Sequence, residues 1–225
     1  MPMGRHYQKN REMQRMSKGV LTIVSGFSGA GKGTVMKGLL ANYDNYALSI
    51  SATTRRPREG EQDGREYFFK TREEFEQMIA EGAFIEYAQY VENYYGTPKA
   101  YVEEQLANGK DVLLEIEIQG ALQVKKLRPD ALLIFITPPS AEILEQRLTG
   151  RGTETPEVIA MRMNRAVEEA AYMDAYDYII INDQLEDCIE KTHRLIQSQH
   201  AASSLQSEFI CRIQRELKER KESKA

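Results

Sequence analysis

Gly26-Phe27-Ser28-Gly29-Ala30-Gly31-Lys32-Gly33-Thr34 brings together the residue types that phosphate chemistry needs. Glycines let a backbone curl so that successive N–H groups converge on one anion. Lys32 supplies a mobile point charge for the outer phosphates. Thr34 follows Gly33, which stands where a G-x-x-x-x-G-K loop ordinarily carries a Ser or Thr for Mg²⁺. Thr34 can still offer a hydroxyl to a phosphate or the ion, with a metal shell richer in water. The spacing predicts binding of a nucleoside triphosphate.

A second anion-binding stretch is Ser51-Ala52-Thr53-Thr54-Arg55-Arg56-Pro57-Arg58, in which guanidiniums and hydroxyls cluster around a stiffening proline. Arg offers bidentate geometry to phosphate oxygens and hydroxyls complete the shell. Further along, Glu115-Ile116-Glu117 ends an apolar run, and alternation on a strand would point both carboxylates the same way. Arg147 and Arg151 are spaced four apart, on one face of a helix, and Arg162 lies on the next helix. His6, His193 and His200 lie far from every motif and are expected at the surface.

The elements that must position these groups alternate between strand and helix, which favours a parallel sheet with crossover helices. Strands are expected at 20–25, 46–50, 112–117, 131–136 and 178–182, four of them buried on both faces. Helices are expected at 32–42, 98–108, 119–127, 140–149, 156–174 and 184–200. Residues 51–98 break the rhythm with a rise in aromatics and a helix opened by Thr71-Arg72-Glu73-Glu74, a capping-box pattern. This reads as a small mixed α/β insertion in a core made of 18–50 and 99–205. Gly150-Arg151-Gly152-Thr153-Glu154-Thr155-Pro156 reads as a lid over about 150–162, closing on a Thr N-cap with Pro at the first helical position. Residues 1–17 read as a disordered basic arm and 206–225 as a helical or frayed tail.

Composition bounds the class. The chain has 225 residues, 41% hydrophobic and 28% charged, as expected of a soluble globular protein. Its formal net charge of −4 speaks against a general nucleic-acid binder. No apolar run approaches membrane-spanning length, and the basic N-terminal segment has no apolar stretch behind it to make a secretion signal. Cys188 and Cys211 lack metal-ligand spacing and read as reduced. The expected compartment is the cytoplasm, with no membrane or nucleic-acid partner, as a monomer or homodimer.

In order along the chain, Ser51-x-Thr53-Thr54-Arg55-x-Pro57-Arg58, Gly60-Glu61, Tyr67-Phe68-Phe69, Phe84-Ile85-Glu86-Tyr87-Ala88, Asn93-Tyr94-Tyr95-Gly96-Thr97, Glu115-Ile116-Glu117-Ile118-Gln119-Gly120, Pro138-Pro139-Ser140, Gly150-Arg151-Gly152-Thr153-Glu154 and Ile181-Asn182-Asp183 resemble the guanylate kinases. The likeness covers roughly residues 18 to 200. It implies an α/β P-loop fold with a GMP-binding insertion and a short lid, and ATP-dependent phosphorylation of GMP with Mg²⁺. It implies that Arg55, Arg58, Tyr67 and Tyr95 hold the GMP phosphate while Glu86, Ser51 and Thr97 read guanine. A carboxylate can accept from both guanine N1–H and N2–H, and adenine would leave it unpaired. Gly26 to Thr34 and Asn182 would bind ATP, and Lys32, Arg55, Arg147, Arg151 and Arg162 would gather around the transferring phosphoryl group. Of Glu115 and Glu117, where the family carries Asp-Ile-Asp, one would contact the acceptor and one would support Mg²⁺ through water.

Two other classes of function compete. A non-catalytic guanylate-kinase-like module that binds phosphopeptides would have lost Lys32, Arg147, Arg151 and Arg162, all of which are present. A phosphotransferase with another acceptor would have lost the set of Glu86, Ser51 and Thr97.

Overall fold

The computed structural model of the chain describes residues 18–90, 92–150 and 155–223. Five parallel strands form its main sheet: β1 (Leu21–Gly26), β2 (Tyr46–Leu48), β7 (Asp111–Glu115), β8 (Leu132–Thr137) and β9 (Tyr178–Ile181), in the order β2-β7-β1-β8-β9. Each is separated from the next by helices, as parallel pairing demands. The Val/Ile/Leu-rich runs of β1, β7 and β8 are buried almost throughout because helices cover both faces. Three strands, not four, are buried this way. Edge strand β9 leaves Ile179 and Ile181 exposed, and β2 has only three residues.

A second sheet is built from β3 (Ala52–Thr53), β4 (Phe68–Phe69), β5 (Phe84–Tyr90) and β6 (Asn93–Pro98), in the order β4-β3-β6-β5. Its helix starts as the sequence predicts: the Thr71 side chain accepts from Glu74 N, and the Glu74 carboxylate accepts from Thr71 N. Its small core is aromatic, with Phe75 stacked between Phe84 at 4.4 Å and Tyr94 at 5.2 Å.

The helices are α1 (Lys32–Asn42), α2 (Arg72–Ala80), α3 (Lys99–Ala107), α4 (Ile118–Leu127), α5 (Ala141–Thr149), α6 (Pro156–Ala170), α7 (Leu185–Gln199) and α8 (Ser207–Glu222). Thr155 caps α6 and Pro156 opens it, as expected. The expected long helix over 156–174 ends at Ala170, with a 3₁₀ turn at Met173–Ala175. Helix α8 carries exposed Phe209 and Leu217. Among the described residues no helix is long and apolar enough to cross a membrane.

The histidines correct the sequence expectation. His193 stacks on Tyr43 at 3.6 Å and shares a 2.8 Å hydrogen bond with the Tyr46 hydroxyl. His200 lies 2.9 Å from Asp111, a carboxylate only 1% exposed that also accepts from Val20 N, Asn45 Nδ2 and Gln197 Nε2. A buried carboxylate must be paired. Two half-buried imidazoles and two amides therefore gather at the end of the sheet away from the glycine loop. His6 lies outside the described residues. Cys188 is buried and Cys211 exposed, both free.

Candidate functional site

The glycine loop leaves the carboxyl end of β1 and enters α1, so the positive end of the helix dipole opens on the loop. Its conformation needs glycine. Gly31 caps α1 in the left-handed region (φ 90°), and a Cβ there would lie 2.5 Å from Asn182 Nδ2. A Cβ on Gly26 (φ 147°) would lie 2.0 Å from the Ile136 carbonyl oxygen. Phe27 contributes only backbone, because its ring is buried edge-on against Phe135. Lys32 Nζ donates to the carbonyls of Gly26 (2.8 Å) and Phe27 (3.2 Å). These are neutral acceptors that an arriving phosphate would outcompete.

Around this loop the structure assembles the predicted donor residues. Asn182 Nδ2 donates to the Ala30 carbonyl (2.8 Å), Arg147 Nη2 to the Asn182 carbonyl (2.8 Å), and Arg162 Nη1 to Ser28 Oγ (2.6 Å). A cleft lined by Gly29, Gly31, Thr34, Arg147, Asn182 and Asp183 opens beside them. Thr34 is exposed on the first turn of α1. Arg151 lies outside the described residues, as do 152–154 of the predicted lid; Gly150, Thr155 and the start of α6 are its described part.

The residues predicted to hold the acceptor come from the second sheet and the loops beside it. With Ala52 and Tyr87 both opposite Gly96, Ser51 just precedes β3, Thr97 follows Gly96 on β6, and Glu86 lies on β5 where the register with β6 shifts between Phe84 and Tyr87. Thr97 Oγ1 donates to Glu86 Oε1 at 2.7 Å. Burial pushes the Glu86 carboxyl above its ordinary range, opposed by the hydrogen bonds from Thr97. The Thr97 hydroxyl proton is therefore committed to Glu86.

Arg55 sits 5.3 Å from the Tyr67 ring centroid, and Tyr67 and Tyr95 meet edge-on at 6.1 Å. Sequence reasoning missed the partner of Arg55. Glu61 accepts from Arg55 Nη2 through both oxygens (2.9 and 3.0 Å) and from Arg58 N (2.7 Å), with the Arg55 and Glu61 side chains 16% and 17% exposed. This pairing raises the pKa of Arg55 and lowers that of Glu61. The Arg58 side chain is exposed.

The two acidic residues do not share a strand face. β7 ends at Glu115, and Glu117 is the N-cap of α4, because the last β1–β7 pair is Val24↔Glu115. Beyond it Ser25 Oγ donates to the Ile116 carbonyl at 2.8 Å and the chain turns. Glu115 and Glu117 still line one cleft with Lys32, joined there by Glu169 of α6. Burial and the neighbouring Glu117 raise the Glu115 pKa, and Lys32 opposes them. Arg165, also on α6, donates to Glu117 (2.7 Å) and to Glu169 (3.0 Å). Neither Arg165 nor Glu169 belongs to a motif; their i,i+4 spacing was the only signal in the sequence.

Hard oxygen donors fit a small divalent cation here. A Cβ on Gly33 would lie 3.9 Å from Glu115 Oε2, so that carboxylate stands beside the place of the missing loop hydroxyl. Among the described residues no group of three acids or imidazoles could hold a metal alone. Phosphates and water would have to complete such a shell.

A family model described as guanylate kinase matches residues 18–199. A guanylate kinase of Oceanobacillus iheyensis is 53% identical over 183 residues, 81% of this chain and 89% of the relative. One of Streptococcus agalactiae serotype III is 55% identical over 184 residues, 81% of this chain and 88% of the relative. The crystal structure of guanylate kinase from Anaplasma phagocytophilum superposes with a TM-score of 0.63 at 32% identity, covering 83% of this chain and 88% of that one.

Proposed function

The chain belongs to the guanylate kinase family and phosphorylates GMP from ATP, and from that premise we propose how its residues divide the reaction. A phosphate oxygen of GMP attacks the γ-phosphorus of ATP in line. One P–O bond forms, the bond to the β,γ-bridging oxygen breaks, and ADP leaves carrying that electron pair. GMP enters as a dianion, so no side chain need remove a proton. Catalysis is then a matter of position and charge.

The N–H groups of Gly29, Gly31, Lys32 and Gly33 and the α1 dipole hold the β-phosphate region, Ala30 N donating instead to the Phe27 carbonyl, while Lys32 exchanges its carbonyl partners for the outer phosphates. Arg147, Arg151 and Arg162 neutralise charge on the transferring group, Arg162 coming from beside Ser28. Asn182 closes the donor cleft. Arg55, Arg58, Tyr67 and Tyr95 take the GMP phosphate. Glu86 accepts guanine N1–H and N2–H, Thr97 holds Glu86 through its Oε1, and Ser51 donates to O6. Glu115 and Thr34 would hold Mg²⁺, partly through water, with Glu117 nearby. The ion would draw charge from the phosphate oxygens. This reading uses small molecules in the cytoplasm and needs no nucleic acid or membrane.

The observation that carries the division of roles is the distance between its halves in sequence. The loop bearing Lys32 follows β1, and Glu86 lies on β5 of the other sheet. Yet Glu115 at the end of β7 lines one cleft with Lys32, and α4, which follows it, brings Gly120 so near that a Cβ there would lie 3.4 Å from Glu86 Oε2 on the second sheet. The test is ADP formation from ATP and Mg²⁺ with GMP or AMP. Turnover with GMP alone, abolished in Lys32→Met, is expected. Equal turnover with AMP would overturn the acceptor assignment.

A further inference from the structure

Helix α4 carries a glycine at its third position, where the backbone does not need one. Gly120 is helical with no positive φ, so an alanine would favour the helix more. What surrounds it supplies another reason. A Cβ built on Gly120 would lie 3.4 Å from Glu86 Oε2 and 3.9 Å from Glu86 Cδ, with Ile116 Cδ1 also at 3.4 Å. At the shorter of these distances a Cβ would stand in close van der Waals contact with the carboxylate oxygen. Glu86 Oε1 is already held by Thr97 at 2.7 Å, so Oε2 is the oxygen turned toward the bare first turn of α4.

We propose that Gly120 is a specificity-determining residue: having no side chain, it keeps the Oε2 side of Glu86 open so that the carboxylate can take both N–H groups of guanine. The proposal rests on the reading that Glu86 recognises the base. A methyl at this place would fill the space against Oε2 and strip solvent from a carboxylate that burial already disfavours. The start of α4 works the other way. Glu117 makes no side-chain cap, so its carboxylate does not offset the positive end of the dipole in the turn where Gly120 approaches Glu86. A charged carboxylate is favoured beside such an end. Gly120 allows that approach, and a side chain would hold the two apart. One helix thus turns its positive end toward Glu86 and leaves the carboxylate accessible, at the cost of a poorer helix former.

The test uses the full-length enzyme. Gly120→Ala is expected to raise KM for GMP about tenfold, the loss of roughly one charge-assisted hydrogen bond. Its kcat should stay within about twofold and its KM for ATP should not change. Its Tm should equal or exceed that of the wild type, because alanine favours the helix. A glycine needed only for packing would give the opposite pattern, a lower Tm with an unchanged KM. Gly120→Ser, whose hydroxyl can occupy Oε2, should weaken GMP at least as much and narrow the preference for GMP over AMP. Gly120→Ala placed in a Glu86→Gln background should cost less than about twofold more, because the carboxylate it acts through is gone. An unchanged KM for GMP in Gly120→Ala, or the same penalty with and without Glu86, overturns the proposal. If Glu86→Gln alone leaves KM for GMP unchanged, the base-reading assignment fails instead, and the two failures are told apart. Should the alanine variant prove less stable, the double-mutant comparison still decides, since both arms carry the same substitution.

Discussion

In the proposed reading the donor wall and the acceptor wall bind phosphate by different means. On the donor wall the groups that face the anion are backbone N–H groups, fixed by β1, α1 and three left-handed glycines, and the side chains nearby are tied to carbonyls. On the acceptor wall the binding groups are side chains, held in place by each other: Arg55 by Glu61, Glu86 by Thr97, Tyr67 by Tyr95 and Arg55. A backbone cradle is set once the fold forms and cannot tell one nucleotide base from another. A side-chain shell must be preorganised pair by pair, and in exchange it can discriminate. Damage to the donor wall should therefore appear in kcat, and damage to the acceptor wall in KM for GMP.

The largest effect should come from the donor wall. Lys32→Met removes the point charge on the outer phosphates and should lower kcat by about 10³-fold or more, with Tm unchanged. Steady-state kinetics alongside a thermal melt would check this. A loss confined to KM for GMP would erase the contrast between the walls. Next comes Glu61→Gln, which takes the charge from Arg55's partner while leaving its shape. KM for GMP should rise about tenfold with KM for ATP unaffected, because Arg55 is then no longer oriented by an ion pair. Isothermal titration with GMP reads this directly, and unaltered GMP affinity would show that Arg55 needs no partner.

A smaller effect belongs to neither wall. Pairing with Asp111 raises the pKa of His200, although burial opposes the rise. The folded state therefore holds that proton more tightly than the unfolded state. Its contribution is complete below the unfolded value of about 6.5 and is lost as pH rises through the folded one. Stability should fall over that window by about 1 kcal/mol or less, and urea midpoints measured across it should fall less steeply in His200→Gln. Turnover should not follow the same curve, since the pair lies at the far end of the sheet.

What could be read from the sequence divides along the same line. The donor loop was legible because its chemistry is local: Gly26 to Thr34 are consecutive, and helix α1 begins at Lys32 as expected. Most strands and helices fell within a residue or two, since apolar period alone places them. On the acceptor side the run from Ser51 to Arg58 was legible as an anion-binding stretch, but Tyr67, Glu86, Tyr95 and Thr97 only through the family likeness. Their pairings hang on strand register between β3, β5 and β6, which no period reveals. The misplacement of Glu117 has a definite cause. Leu114, Glu115, Ile116 and Glu117 alternate like a strand, but the pairing of β7 with β1 stops at Val24, and the chain turns into α4. His193 and His200 looked like surface residues of an amphipathic helix because their partners, Tyr46 and Asp111, come from distant strands.

The contrast between the walls is tested most directly by comparing kcat/KM for GMP, IMP and AMP in the wild type and in Glu86→Gln. IMP lacks the 2-amino donor and AMP presents a lone pair at N1, so each step should remove one hydrogen bond to the carboxylate. The account predicts a descending series in the wild type, with about ten- to a hundredfold for each hydrogen bond removed. In Glu86→Gln the series should collapse toward one level while KM for ATP holds. A wild type that uses AMP as well as GMP, or a series that survives the loss of the carboxylate, would contradict it.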